Sequence, residues 1–193
     1  MAKEGKFLTK PTKLKRTKKL AELTGVILGD GNIHRFPRTE CLTIASNAKN
    51  KGFIKRYAGI VERIFLKRPS IIKLKRNCTR IAIYQKYLSC RLGIISGDRS
   101  KKEFAIPKWI LNSREYLKSY LRGLYEAEGS FCVHKPTCTY KFLFSNRNES
   151  LLRNVYNCLR ILGFHPHKSK YQIQVSRRKE VYKVKDLIKF RQY

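Results

Sequence analysis

The sequence predicts an α+β fold made of one unit used twice, each unit running helix, two strands, helix, two strands, helix. Three observations predict it. Two nine-residue stretches, LTGVILGDG from Leu23 to Gly31 and LRGLYEAEG from Leu121 to Gly129, lie 98 residues apart, and each reads as an apolar helix end with small residues four apart, then an acid, then a glycine. Runs of period-two alternation follow each stretch, as half-buried strands require. A second amphipathic helix recurs at the same offset, Phe53, Ile54, Tyr57, Val61 and Ile64 aligning with Leu151, Leu152, Val155, Leu159 and Leu162. Duplication at a fixed period implies a monomer with an internal pseudo-twofold axis.

Taken in order, residues 1–17 form a basic N-terminal arm; residues 1–19 hold eight basic residues and one acid. This composition suits a flexible segment outside the core. The first repeat spans 18–96. Leu20, Leu23, Val26 and Ile27 recur at helical spacing, and Gly31 stands where a left-handed helix cap favours glycine. Ile33–Phe36 and Cys41–Ser46 read as a strand pair, and Phe53–Phe65 as a helix. Ile72, Leu74, Ile81 and Ile83 alternate with Lys73, Lys75, Arg80 and Tyr84 across a turn at Asn77, and Tyr87–Ile95 is a short helix. Residues 97–112 lose periodicity and act as a linker.

The second repeat, 113–193, restarts the pattern. Ser113 is placed to cap a helix running to Gly129. Phe131–His134 and Lys141–Ser145 repeat the first strand pair, and Leu151–Leu162 the helix. Tyr171, Ile173 and Val175 alternate with Lys170, Gln172 and Gln174 in the last strand pair, and Val181 to Ile188 closes the unit.

Composition narrows the function. Forty-four Lys and Arg against 13 Asp and Glu give a formal charge of +31, which favours a polyanionic partner, nucleic acid above all. The two halves carry 23 and 21 of these bases, so the charge is not confined to a tail. No apolar run is long enough for a membrane span and no secretory signal follows the basic amino terminus, so the expected location is cytoplasmic and nucleoid-associated. The six cysteines are scattered without a C-x-x-C pair, which argues against a zinc ribbon.

The two stretches make a physical demand of their own. Gly25 and Gly29, like Gly123 and Ala127, would let two helix backbones approach more closely than the usual spacing. Each helix then ends in an acid at the negative pole of its dipole, where a carboxylate is disfavoured. A divalent cation resolves the conflict, and carboxylates with exposed carbonyls suit Mg²⁺. The repeat selects Asp30 and Glu128 as equivalent; Leu28 holds the place of Glu126, leaving Glu126 either peripheral or in support behind the metal ligands. The outward strand faces and their hairpins would meet the duplex through Arg35, Arg38, Lys73, Lys75, Arg76, Arg80, Lys141, Lys168, Lys170, Gln172 and Gln174. Arg and Lys suit guanine and Gln suits adenine in the major groove.

The pair LTGVILGDG and LRGLYEAEG resembles the two motifs of the LAGLIDADG homing endonucleases, especially compact single-chain members found in archaeal introns. The resemblance implies a duplicated αββαββα fold whose two antiparallel four-stranded sheets form a saddle on double-stranded DNA. It further implies Mg²⁺-dependent cleavage of both strands across the minor groove, leaving 3′ overhangs, with two or more metals held by Asp30, Glu128 and the carbonyls of Gly29 and Ala127. Asn47 and Asn146 are the nearest matches to the family's polar residue at the end of the second strand; Arg147, Lys101 and Lys102 are candidates for the assisting base. Alternatives on the same scaffold are an intron RNA maturase and a non-catalytic DNA-binding protein.

Overall fold

The computed structural model describes residues 10–99 and 102–193. Two four-stranded antiparallel sheets carry the repeats. The first repeat is built from α1 (Lys18–Asp30), β1 (Gly31–Arg35), β2 (Glu40–Asn47), α2 (Lys51–Phe65), β3 (Ser70–Leu74), β4 (Cys78–Gln85) and α3 (Leu88–Leu92). A short helix, α4 (Lys108–Leu111), lies inside the stretch read as linker. The second repeat follows as α5 (Arg114–Glu128), β5 (Gly129–His134), β6 (Thr139–Ser145), α6 (Glu149–Ile161), β7 (His167–Ser169), β8 (Gln172–Val175) and α7 (Arg178–Leu187). Strand orders β1-β2-β4-β3 and β5-β6-β8-β7 correspond element for element.

Three helices, α1, α5 and α6, start where a side chain satisfies their free amides. Thr17 accepts from the Leu20 amide at 3.1 Å, and Ser113 from Tyr116 at 3.4 Å. Against the sheets the helices bury Phe53, Tyr57, Ile60 and Val61 from α2, and Leu151, Leu152, Val155 and Leu159 from α6. Residues 10–17 are docked rather than free of the fold. Leu14 packs against the core, the Thr12 carbonyl accepts from Arg91 Nε at 3.1 Å, and the Arg16 carbonyl accepts from the Tyr116 hydroxyl at 3.3 Å. The first nine residues of the basic arm lie outside the described residues.

Helices α1 and α5 pack on one another at the centre, and glycine is what permits it. A Cβ on Gly25 would lie 2.8 Å from the Leu124 nitrogen and still closer to the Tyr120 carbonyl. Reciprocally, a Cβ on Gly123 would lie 2.8 Å from the Val26 nitrogen and closer still to the Glu22 carbonyl. Gly31 and Gly129 serve another purpose than expected. Both are extended, with φ of −88° and −89°, not left-handed. Their missing side chains make room for the preceding helix turn: a Cβ on Gly31 would sit 2.5 Å from Ile27 Cα, and one on Gly129 2.6 Å from the Tyr125 ring.

An ionic network joins the repeats along the same helix pair. Glu22 accepts from Arg56 Nε at 2.6 Å, Arg56 Nη2 at 2.7 Å and the Tyr57 hydroxyl at 3.0 Å. Buried Arg122 lies 3.4 Å from Glu22 and 3.7 Å from Glu126 and donates to the Gln192 carbonyl at 2.7 Å. Glu126 is therefore a buried structural acid and not a peripheral one. It accepts from the Arg191 amide at 2.7 Å and from the Tyr193 hydroxyl, while the Tyr193 ring covers Gly52 on α2, where a Cβ would lie 2.7 Å from Cγ. Replacing Glu126 with Gln keeps the shape but weakens charge-assisted bonds in a buried place. The expected loss is about 1–3 kcal/mol in chemical denaturation.

Candidate metal and nucleic-acid site

Asp30 is the last residue of α1 and Glu128 the last of α5, so the close helix packing brings both acids to one end of the pair. A Cβ on Gly29 would touch both Ala127 Cβ, at 2.5 Å, and Glu128 Cγ, at 3.3 Å, which shows how near the two corners lie. Asp30 reaches solvent, yet the surrounding protein desolvates its carboxyl, and with the charge of Glu128 this pushes its pKa from 3.8 up to about 7. Burial also raises Glu128, against the amide of Asn146, which donates to Oε1 at 3.3 Å.

Only one of the two asparagines reaches a motif acid. The Asn47 side chain turns to the Lys49 amide at 2.9 Å. The phase of the strand ends explains this. The motif glycines Gly31 and Gly129 pair with Ile44 and Phe144, and these with Ile81 and Ile173, so the structural counterpart of Asn146 is Ser46. Asn47 falls one residue later, on the opposite face of its strand, and Asp30 has no matching amide from its own sheet.

Arg147 is exposed and lines a cleft with Glu128, Asn146, Tyr171 and Gln172. Lys102 contributes its backbone, its carbonyl accepting from Asn148 at 2.8 Å. Lys101 lies outside the described residues. A base that sequence reasoning missed stands at the first corner instead: Arg99 donates through Nη2 to the carbonyls of Ile27, at 2.9 Å, and Gly31. It lines a second cleft with Gly29, Asn32, His34 and Asn146. No local spacing announces it, since 72 and 68 residues separate it from those carbonyls.

Register decides which strand residues face outward. Arg80 pairs with Ile72 and Ala45, and Lys141 with Cys132; both belong to the face away from the helices, as do Gln172 and Gln174, opposite Ser145 and Leu143. Lys73 is opposite Thr79, beside the Ile71–Ile81 pair, and so belongs to the helix side. The expected alternation of β3 is reversed: Ile72 and Leu74, 40% and 38% exposed, occupy the outer face. Lys168 likewise pairs with Ile173 on the helix side and is held by Glu149 at the start of α6. Arg35 ends β1 opposite Glu40, in phase with buried Ile33.

Lys75 and Arg76 lie in the β3–β4 turn, Arg38 in the β1–β2 turn, and Lys170 in the β7–β8 turn, with its ammonium 5.2 Å from the Tyr171 ring centre. The outer strand faces are therefore largely neutral, with Arg80 and Lys141 as their charges, and bases gather at the hairpin tips. Of the strand residues expected to meet the duplex, Arg35, Lys73 and Lys168 therefore do not belong to the outer faces.

Comparison with known proteins agrees with this architecture. Residues 115–193 match the family model of a LAGLIDADG-like domain. A structure of mesophilic variants of the homing endonuclease I-DmoI superposes with a TM-score of 0.61 at 18% identity, covering 89% of this chain and 94% of that one. I-DmoI in complex with DNA and Mn gives 0.60 at 17% identity, covering 89% and 96%. The N-terminal LAGLIDADG domain of DUF199/WhiA gives 0.61 at 16%, covering 91% and 84%. No curated protein sequence matches significantly. The likeness to the solved structures is one of fold, and it spans both repeats. Residues 115–193 thus match the LAGLIDADG-like family by sequence, and the chain as a whole has the fold of the LAGLIDADG homing endonuclease structures.

Proposed function

We propose that the protein is a site-specific double-strand DNA endonuclease that acts as a monomer and uses divalent metal, Mg²⁺ by preference. The observation that carries this reading is the meeting of Asp30 and Glu128 at paired helix ends, crowded enough that Asp30 holds its proton up to about pH 7. The donor chemistry fits a hard cation, which would neutralise two neighbouring carboxylates. Asp30 and Glu128 hold it, the carbonyls of Gly29 and Ala127 complete the protein's share of the shell, and Asn146 orients Glu128. A cation bound there supplies a Lewis acid for the phosphoryl oxygens and a lowered pKa for water.

The rest of the chain binds and aligns the DNA. Arg80, Lys141, Gln172 and Gln174 present donors on the outer strand faces for base edges in the major groove, while the hairpin bases Arg38, Lys75, Arg76 and Lys170 meet phosphates and fix register. I-DmoI has been solved in complex with DNA and Mn or Ca, which supports a DNA partner and a divalent metal for this chain. The resemblance to the LAGLIDADG homing endonucleases implies that both strands are cut across the minor groove, leaving 3′ overhangs.

Cleavage selection from a randomised duplex library in Mg²⁺, with both nick positions mapped, tests the reading. One enriched site cut on both strands with a 3′ stagger, and no product in EDTA, is the expected result. Enrichment by binding with no cut under Mg²⁺ or Mn²⁺ would leave a DNA-binding protein and sink the endonuclease.

A further inference from the structure

We propose that Arg99 and Arg191 are paired positioning residues, each locking the helix-to-strand corner that presents one motif acid to the metal; this rests on the endonuclease reading. Both arginines follow the last helix of their repeat and return to the start of it. Arg99 donates to the carbonyl of Gly31, the residue after Asp30. Arg191 Nη2 donates at 3.4 Å to the carbonyl of Gly129, the residue after Glu128. The two bonds relate equivalent atoms across the pseudo-twofold axis, although the sequence separations differ, at 68 and 62 residues.

The helix ends explain why a cation is needed there. Neither α1 nor α5 has a basic residue in its last turn, and both end in an acid, so free carbonyls and a carboxylate share the negative pole of the dipole. A guanidinium from another part of the chain supplies the missing charge. Arg99 does more than offset it, because the same nitrogen also bonds the Ile27 carbonyl at 2.9 Å, tying the last helical turn to the first strand residue across Asp30. Arg191 is anchored differently: its amide is on Glu126 at 2.7 Å and its guanidinium lies 4.8 Å from the Phe190 ring centre. The corner of Glu128 is thus tied to the buried network, while the corner of Asp30 is tied to the linker.

Arg99 holds the backbone on both sides of Asp30, and Arg191 holds the residue after Glu128, neither using the carboxylate itself. Holding a ligand by a group outside the metal shell is how outer contacts raise metal affinity, and losing such a contact costs about ten-fold or more. The two corners have separate latches, so their defects are separable.

The test uses the full chain on its selected DNA target, with variants R99M, R191M, R99K and R191K. Mn²⁺ binding to the DNA-bound protein is measured by calorimetry, DNA affinity is measured in Ca²⁺, and each strand's nicking rate is followed in Mg²⁺. The methionine variants are expected to bind Mn²⁺ about ten-fold more weakly with DNA affinity within about two-fold, to slow the two nicks unequally, and to recover part of both with lysine. Wild-type Mn²⁺ binding in folded R99M and R191M overturns the proposal, as does a loss that merely follows the unfolded fraction and is not recovered by lysine. Should methionine prevent folding, the lysine variants decide: weakened Mn²⁺ binding upholds the latch, wild-type binding overturns it. A wild-type protein that cuts no DNA refutes the endonuclease reading itself; a cutting wild type with indifferent variants refutes the latches alone.

Discussion

Asp30→Asn is expected to abolish cleavage, keep DNA binding and make the metal-free protein more stable at neutral pH. Removing Asp30, which we propose as a direct metal ligand, should exceed the ~10–100-fold cost of losing an outer contact. The stability gain follows from linkage. The Asp30 carboxyl has its pKa raised from 3.8 to about 7 by desolvation first and the Glu128 charge second. Between these values the folded chain keeps a proton that the unfolded chain has released. Stability contributed by this group is therefore full below about pH 4, falls as the pH rises through about 7, and stays low above it. Asparagine carries no such charge, so the variant should melt above the wild type at about pH 8 in EDTA and level with it near pH 4. Equal melting at both pH values would show that the acid is not held under strain by its neighbours. Added Mg²⁺ should then raise the wild type's midpoint more than the variant's.

Gly123→Ala is expected to destabilise the fold by about 3 kcal/mol or more, at the upper end of what overpacking costs. Alanine is the better helix former by about 1 kcal/mol, so helix propensity alone predicts the opposite sign. The added methyl would overlap the Glu22 carbonyl and lie 2.8 Å from the Val26 nitrogen. Both are backbone, and no rotamer change relieves them; α1 must move. Gly59 on α2 supplies the comparison, since a Cβ there meets nothing within 4 Å. Gly59→Ala should stabilise by about 0.5–1 kcal/mol. Denaturation of the two variants side by side settles whether glycine is required or tolerated, and Gly25→Ala should behave as Gly123→Ala does.

Much of the architecture was legible because the signals were local and doubled. The motif acids, the offset of 98 and the α2 and α6 patterns each appear twice, and a pattern seen twice fixes phase. Phase was lost where one copy stood alone. In β3 the run Ser70–Leu74 is exposed along its whole length, so apolar Ile72 and Leu74 give no guide to the buried face, and alternation alone places Lys73 on the wrong side. Asn47 and Asn146 look alike in sequence, yet one residue of slip separates their structural positions. Gly31 was expected to supply a left-handed turn, whereas the packing of Ile27 requires it in an extended one. Arg99 could not be found at all from spacing, because its partners are brought to it only by the complete fold.

The buried network also bears on how the chain acquires its structure during synthesis. Glu22 and Arg56 emerge early, but Arg122, Glu126 and the Arg191–Tyr193 segment that completes their surroundings follow much later. A nascent first repeat would hold α1 with its glycine notch unfilled and Gly52 without its covering ring. The first repeat has an apolar core of its own, Ile33, Ile44, Phe53 and Ile81 among its members, but the face of α1 that meets α5 stays uncovered until the second repeat is made. Closure of that helix pair is therefore expected to be a late step of folding.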